Sequence, residues 1–449
     1  MTTTIDSAPW APGRLPGIGH AHLLLDDPIP LIRRLPDVGP VVRVGLGPRP
    51  VYLVTTAELL RSIGLGTAGR FHRDDLIEPV APFAGRTLVT LSGDDHRRRR
   101  RLIAPAFHRN RISAYSPEFG RIAEDWVARL PVGEPIDLVP EVDRLALETL
   151  IATLIAADLG EQARSTIQSD SPLLLAEAAF RTLMPRPLRR LRPAAERRFL
   201  TASARLRGLL RDIVAQYRTS GTDHGDLLST LVTGVDPGTG ESLDDETIID
   251  EMVGFLMGGV ESPSGMLVSF VHELVRAPEV RDKAVAEVDE VIGDRPVRAE
   301  DATALPYLRT VLQETMRLWA PWINMLTADG PVTLGDVTVP SGTMVGFSAN
   351  MIHHDPSYYP EPERFRPERW SDPEAELVDQ SAVVPFGVGA RRCPGDHFSW
   401  AQLTLQAAAL LRTRLPVLPT QDVGRAVGST TKGVGIRPST ARVVLYPRR

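Results

Sequence analysis

Apolar positions along the chain recur mostly at the three- and four-residue spacing of a helix, with short runs of β-branched residues between them. That spacing predicts helices from Asp94 to about Phe107, through Glu118 to Leu130, and over Glu141 to Leu159. It marks three more at Leu305 to Trp319, about Asp396 to Leu411, and a long one from Asp245 to Arg276 whose acidic first turn suits the helix dipole. "VVRVGLG" (Val41 to Gly47) and "PVYLVTT" (Pro50 to Thr56) flank a Gly-Pro turn and read as a hairpin, and Val332 to Phe347 reads as short strands. The expectation is a mainly α chain with small β-sheets.

Prolines and polar residues punctuate this pattern. Ala8 to Pro16 cannot be helical and is expected as an extended arm, with a short apolar helix following around Leu23 to Leu35. Leu183 to Arg198 breaks a helical pattern with three prolines and then resumes it, which suggests a mobile lid between two helices. Val232 to Asp245 is a polar glycine-rich loop, and Asp355 to Val384 is irregular and proline-rich. No internal repeat or low-complexity tract interrupts the 449 residues.

That length exceeds the usual single core of roughly 100 to 200 residues, so it implies several domains or one large one. The net charge of -5 gives no global basic field for nucleic acid or an anionic bilayer. The first twenty residues show neither a signal-peptide pattern nor the ~20 apolar residues of a membrane span, so a cytoplasmic protein without a membrane anchor is expected. A single cysteine, Cys393, excludes internal disulfides and multi-thiolate zinc sites.

Cys393 lies in "FGVGARRCPG", Phe386 to Gly395. A dinucleotide fingerprint fails there, because Arg392 stands where the third glycine belongs. No H-E-x-x-H or G-x-S-x-G occurs, and the adjacent His353 and His354 point different ways on any regular element. Arg391, Arg392 and the N-terminus of the helix after Cys393 are all expected to favour the thiolate. Gly387, Gly389 and Gly395 would let the backbone approach a flat ligand closely. A thiolate so placed is suited to be an axial ligand of haem iron; the alternative is a buried, unreactive cysteine.

Phe386, Gly389, Arg391, Cys393 and Gly395 fit F-x-x-G-x-R-x-C-x-G, which resembles the haem-binding loop of the cytochrome P450 monooxygenases. Three further stretches match in the right order, from about Pro12 to the C-terminus. The resemblance implies a single mainly helical P450 domain over 1-449, with residues 1-20 as an arm, holding haem b on Cys393. "ETMR" resembles the family's E-x-x-R, with Glu314 and Arg317 on one helix face and Arg364 of "PERF" as the third member of a structural network. In "GDDHRRRRRL", His96 and Arg100 share a helix face, and the resemblance implies that they and Arg391 contact the haem propionates. The other arginines of that run are expected on a solvated face that could dock an acidic electron donor. Where many relatives carry another propionate arginine this chain has Leu326, for which His353 is a candidate substitute.

"GGVESPS", Gly258 to Ser264, resembles the oxygen-activating A/G-G-x-D/E-T. Gly258 and Gly259 would border the haem, Glu261 would relay protons, and Ser262, standing for threonine, would hydrogen-bond oxygen and a water. Pro263 removes an i+4 donor from the Gly259 carbonyl, so a kink or opening is expected there. The substrate cavity is implied along Phe71 to Val89, Phe180 to Pro193, Phe255 to Val260, Trp322 to Met325 and Thr431 to Val434. These mainly apolar stretches suit a lipophilic guest such as a terpenoid or another secondary metabolite, whereas a fatty acid would want a cation such as Arg181. The implied reaction is hydroxylation by a monomer using electrons from NAD(P)H through ferredoxin and ferredoxin reductase. Rival readings are a haem-thiolate peroxygenase or isomerase, and a non-catalytic haem-based sensor.

Overall fold

A computed structural model describes residues 3–4, 8–46, 49–66, 70–73, 80–155, 160–183, 192–236, 238–321, 323–335, 337–371, 380–423, 429–432 and 435–448. Helices dominate, the longest being Arg109–Arg129, Leu138–Leu154, Gly160–Leu183, Pro193–Ser220, Asp245–Leu274 and Asp396–Thr413. The helices expected at 94, 141, 245, 305 and 396 are all present. Glu118 to Leu130 proves to be the second half of a longer element begun at Arg109, because Pro117 sits inside that helix without ending it. The apolar stretch at 23–35 forms two short helices, Ala21–Asp26 and Ile29–Ile32, separated at Pro28. The lid residues 184–191 lie outside the described set, and the chain is helical again from Pro193.

The hairpin forms as expected, Val41–Leu46 pairing antiparallel with Arg49–Val54. It is one edge of a five-stranded sheet that continues through Met344–Phe347 and Asn324–Ala328 to Phe71–His72. This sheet packs beside the helices rather than among them: its residues contribute to two apolar clusters, separate from the two built by the long helices. No described helix is long and apolar enough to cross a membrane.

The central helix, Asp245–Leu274, starts where the Asp244 side chain accepts the Thr247 N–H at 2.7 Å. Its N-terminal half, Ile248 to Val260, belongs to one helical core, and its C-terminal part, Leu267 to Leu274, to the other. Between them residues 261–265, Glu-Ser-Pro-Ser-Gly, are small or polar and belong to neither core. A cavity opens at that interruption.

Below the cavity the irregular segment after Asp355 is fixed by buried charge. Arg317 forks onto Glu314, Nε to Oε2 at 3.0 Å and Nη2 to Oε1 at 2.9 Å, and both side chains are essentially inaccessible. Arg317 Nη1 also donates to the carbonyls of His353 (2.7 Å) and Pro362 (2.8 Å). The third guanidinium is Arg369, not Arg364. Arg369 Nε donates to Glu314 Oε1 at 2.9 Å from the short helix Pro367–Trp370, whose Trp370 indole N–H binds Glu314 Oε2 at the same distance. Arg364 precedes this turn; its carbonyl accepts from Arg317 at 3.3 Å, while its guanidinium points to solvent and pairs with Glu361. Five bonds from four residues therefore converge on one carboxylate.

Replacing Arg369 with Ala leaves Glu314 and Arg317 incompletely paired in the interior and should cost about 3–5 kcal/mol. Arg364→Ala should cost less than about 0.5 kcal/mol. Urea unfolding of the two variants measures the difference, and equal losses would return the network role to Arg364.

Candidate active site

The cavity of about 450 Å³ is bounded by the central helix, the helix Gly93–Ile103, the sheet and the cysteine loop. The loop's shape is set by backbone contacts. Gly387 and Gly389 adopt φ of +71° and +63°, and a Cβ on Gly389 would lie 1.9 Å from the Gly64 carbonyl oxygen. Only glycine allows this approach. The Cys393 N–H returns to the Phe386 carbonyl at 2.9 Å, which closes the loop. Phe386, Gly387, Arg391 and Cys393 reach the cavity wall. Gly389 packs on the 62–66 turn instead, and Gly395 lies behind the sulfur, its N–H directed at Cys393.

The sulfur is open to the cavity yet deep within the molecule. Burial pushes the thiol above its ordinary pKa and Asp396 adds to the rise, outweighing the Gly395 N–H, Arg100 and Arg392. This corrects the expectation that its surroundings favour the anion: Arg392 is half spent on Asp396, at 2.8 Å.

His96, Arg100 and Arg391 line the same cavity, as expected, and Arg73 joins them. Among the described residues none of the four has an acidic partner. Arg391 Nη2 donates to Ser92 Oγ at 3.3 Å, but its Nη1 is buried without a partner, as is Arg73 Nε. The group is starved of negative charge: Arg391 falls to about 10 through burial and then Arg100, and Arg73 to about 10 through burial and then Arg391. His96 is driven to about 3 by burial, then by Arg391, Arg100 and Arg73. Arg73 carried no signal in the sequence, standing in no motif and next to residues outside the described set.

Of the other four arginines of the run, Arg97 and Arg101 are exposed as expected, whereas Arg98 and Arg99 are spent in ion pairs. Arg99 is paired with the buried Glu251 at 2.5 Å, and Arg98 reaches Asp236 at 2.7 Å and Glu241 at 2.6 Å. Glu251 also accepts the Leu88 N–H (3.1 Å) and Asp250 the Arg86 N–H (2.7 Å), so the central helix anchors the cavity's 86–89 wall. His353 does not replace the arginine missing at 326. It is buried against Tyr359, its Nδ1 on the Arg317 carbonyl (3.3 Å) and its Nε2 accepting the Val384 N–H (3.2 Å).

On the central helix Gly258, Glu261 and Ser262 face the cavity. Gly259 does not: a Cβ there would come within 2.6 Å of Leu150, so its role is close helix packing. The helix runs unbroken from 245 to 274 through Pro263, so the expected opening is absent; the proline deletes one donor without ending the element. Glu261 Oε1 accepts the Gly435 N–H at 3.4 Å. Ser264 turns away, donating to Asp143 and accepting from Arg437 at 3.0 Å. Arg181 is committed to Glu196 and to the face of Phe199 at 4.5 Å, off the cavity. Trp322, 184–191 and 433–434 lie outside the described residues.

A glycine-shaped cysteine loop, a buried Glu-Arg-Arg network and a long helix with a polar break beside the thiol define a haem-thiolate protein. The chain belongs to the cytochrome P450 family, whose model matches residues 9–443. It is 35% identical over 421 residues to cyclooctat-9-en-7-ol 5-monooxygenase of Streptomyces melanosporofaciens, covering 92% of this chain and 91% of that protein. Pentalenene oxygenase of Streptomyces avermitilis is 30% identical over 98% of this chain and 95% of its own. The crystal structure of the cytochrome P450DA heme domain superimposes with a TM-score of 0.86 over 98% of both chains at 22% identity, a likeness of fold.

The family's cofactor is haem iron held by a cysteine thiolate. The residues present fit it: a single thiol opens into the cavity, and the orphaned Arg391 and Arg73 nitrogens await carboxylates.

Gly389→Ala adds a left-handed non-glycine residue and a backbone clash, and should cost more than about 1–3 kcal/mol and most of the haem content. Gly258→Ala clashes with no protein atom, and the A/G-G-x-D/E-T pattern takes alanine at this position, so it should load haem as the parent does. Haem absorbance per folded protein distinguishes them.

Proposed function

We propose that this enzyme inserts one oxygen atom of O2 into a C–H bond of a lipophilic, terpenoid-like small molecule. The observation that carries the reading is one cavity faced at once by the Cys393 sulfur, by Glu261 and Ser262, and by an apolar wall including Leu88, Val89, Phe347 and Ile436. When bound, haem supplies the iron that, with two electrons and two protons, reduces one oxygen atom of O2 to water and delivers the other to carbon.

The chain's own groups divide the remaining work. Cys393 Sγ holds the iron as an anion, and His96, Arg100 and Arg391 hold the propionates. Ser262 Oγ orders a water and passes a proton into the cavity; Glu261, whose carboxylate the Gly435 N–H helps to orient, takes that proton from solvent and relays it. Serine offers the hydroxyl without the methyl that restricts threonine's rotamers. The apolar wall positions the guest by shape and excludes bulk water.

A cyclic hydrocarbon or its alcohol fits this wall better than a fatty acid, since Arg181 is spent on Glu196 and the cavity's unpaired cations sit together at the proposed propionate site. Curated relatives named for cyclooctat-9-en-7-ol and pentalenene support the same class. Ferredoxin and ferredoxin reductase, drawing on NAD(P)H, serve as electron donors in this reading.

With those donors, a panel of cyclic terpenes under ¹⁸O₂ should yield a product carrying one heavy oxygen. A label from water, or no product from any ligand that shifts the haem spectrum, sinks the proposal. Ser262→Ala should lower product formation by about 10²-fold while reductant is still consumed and hydrogen peroxide accumulates; unchanged peroxide per product would remove Ser262 from the proton route.

A further inference from the structure

Leu326 stands where many relatives carry a propionate arginine, and the strand beside it leads into Arg73. Phe71–His72 pairs antiparallel with Asn324–Ala328, setting Phe71 against Ala328 and His72 against Thr327. Continuing that register by one residue sets Arg73 against Leu326. Cross-strand neighbours project to the same side of a sheet, with Cβ atoms about 4.5–5.5 Å apart. Phe71, Arg73 and Leu326 accordingly all face the cavity, while His72 turns away to Asp329 at 3.7 Å. A guanidinium from position 73 therefore enters the space that one from position 326 would occupy.

Its surroundings suit an anion. Among the described residues Arg73 has no acidic partner, and its Nε is buried without a hydrogen-bond partner. The backbone N–H of Arg73 donates to Ser92 Oγ at 3.0 Å, and the same oxygen accepts from Arg391 Nη2 at 3.3 Å. Ser92 thus ties the backbone of Arg73 and the guanidinium of Arg391 to one hydroxyl, which keeps the two residues on the same part of the cavity wall. Arg73 Nη1 also donates to the carbonyl of Val89 at 3.2 Å, a residue of the cavity wall.

We propose that Arg73 is a haem-binding residue that takes a propionate carboxylate in place of the arginine this chain lacks at 326. The inference rests on the haem-thiolate reading. It adds Arg73 to His96, Arg100 and Arg391, and it makes Leu326 a permitted apolar neighbour rather than a defect.

The test follows release of haem from the ferric protein to excess apomyoglobin. Arg73→Leu should lose haem roughly tenfold faster or more, the loss of a charge-assisted bond, and Arg73→Lys should stay within about threefold of the parent. Arg73→Leu combined with Leu326→Arg should recover most of the retention, because the charge returns to the same space from the opposite strand. Release from Arg73→Leu at the parent's rate overturns the proposal. Should Arg73→Leu alone fail to accumulate as folded protein, the double variant decides: retained haem supports the inference and failure to retain it overturns it. A parent whose reduced carbon monoxide complex lacks the thiolate-shifted band would instead sink the haem-thiolate reading itself.

Discussion

One cavity gathers a buried thiol and a cluster of cationic side chains, Arg73, Arg100 and Arg391, that form no ion pair among the described residues. Buried unpaired charge is costly, and a sulfur pressed toward its neutral form is a poor ligand or nucleophile on its own. Each imbalance is relieved by one kind of guest: a flat group with a metal cation for the sulfur and carboxylates for the arginines. The site is thus electrostatically incomplete as a polypeptide, and cofactor binding is expected to stabilise the fold by mass action.

Holding such a site open demands rigidity on every side. The Glu314 carboxylate collects Arg317, Arg369, Trp370 and the Arg366 N–H, and Arg317 extends to the His353 carbonyl. His353 in turn binds the Val384 N–H, at the head of the loop that carries Cys393. A short path of hydrogen bonds therefore joins the charged network to the thiol loop. From the other side, Gly389 lies against Gly64 so closely that the loop cannot move without the 62–66 turn.

The central helix contributes in a different way. Apolar residues at both ends bind it into two separate cores, and the small and polar residues between them leave the gap that becomes the cavity. Pro263 and the glycines are tolerated because packing on either side holds the helix in register. The carboxylates of Asp250 and Glu251 on the same helix fasten the 86–89 wall, so one element shapes the floor of the substrate space and anchors its side.

Local pattern by itself determined the helical class, the hairpin and the shared helix faces of Glu314 with Arg317 and of His96 with Arg100, because each depends on residues close together in the chain; that the cysteine loop, His96, Arg100, Glu261 and Ser262 meet at one site was implied by the family resemblance their motifs carry. Distant partners were decided only by the tertiary structure. Arg364 and Arg369 are both arginines in an irregular proline-rich stretch, and only the turn at Pro367–Trp370 aims the second at Glu314. Gly259 fits the family's spacing but packs on Leu150, and His353, the candidate substitute for the arginine missing at 326, binds the Val384 N–H instead. Arg73 meets the cavity because a sheet brings residues 73 and 326 side by side, a pairing in space that no spacing along the sequence encodes.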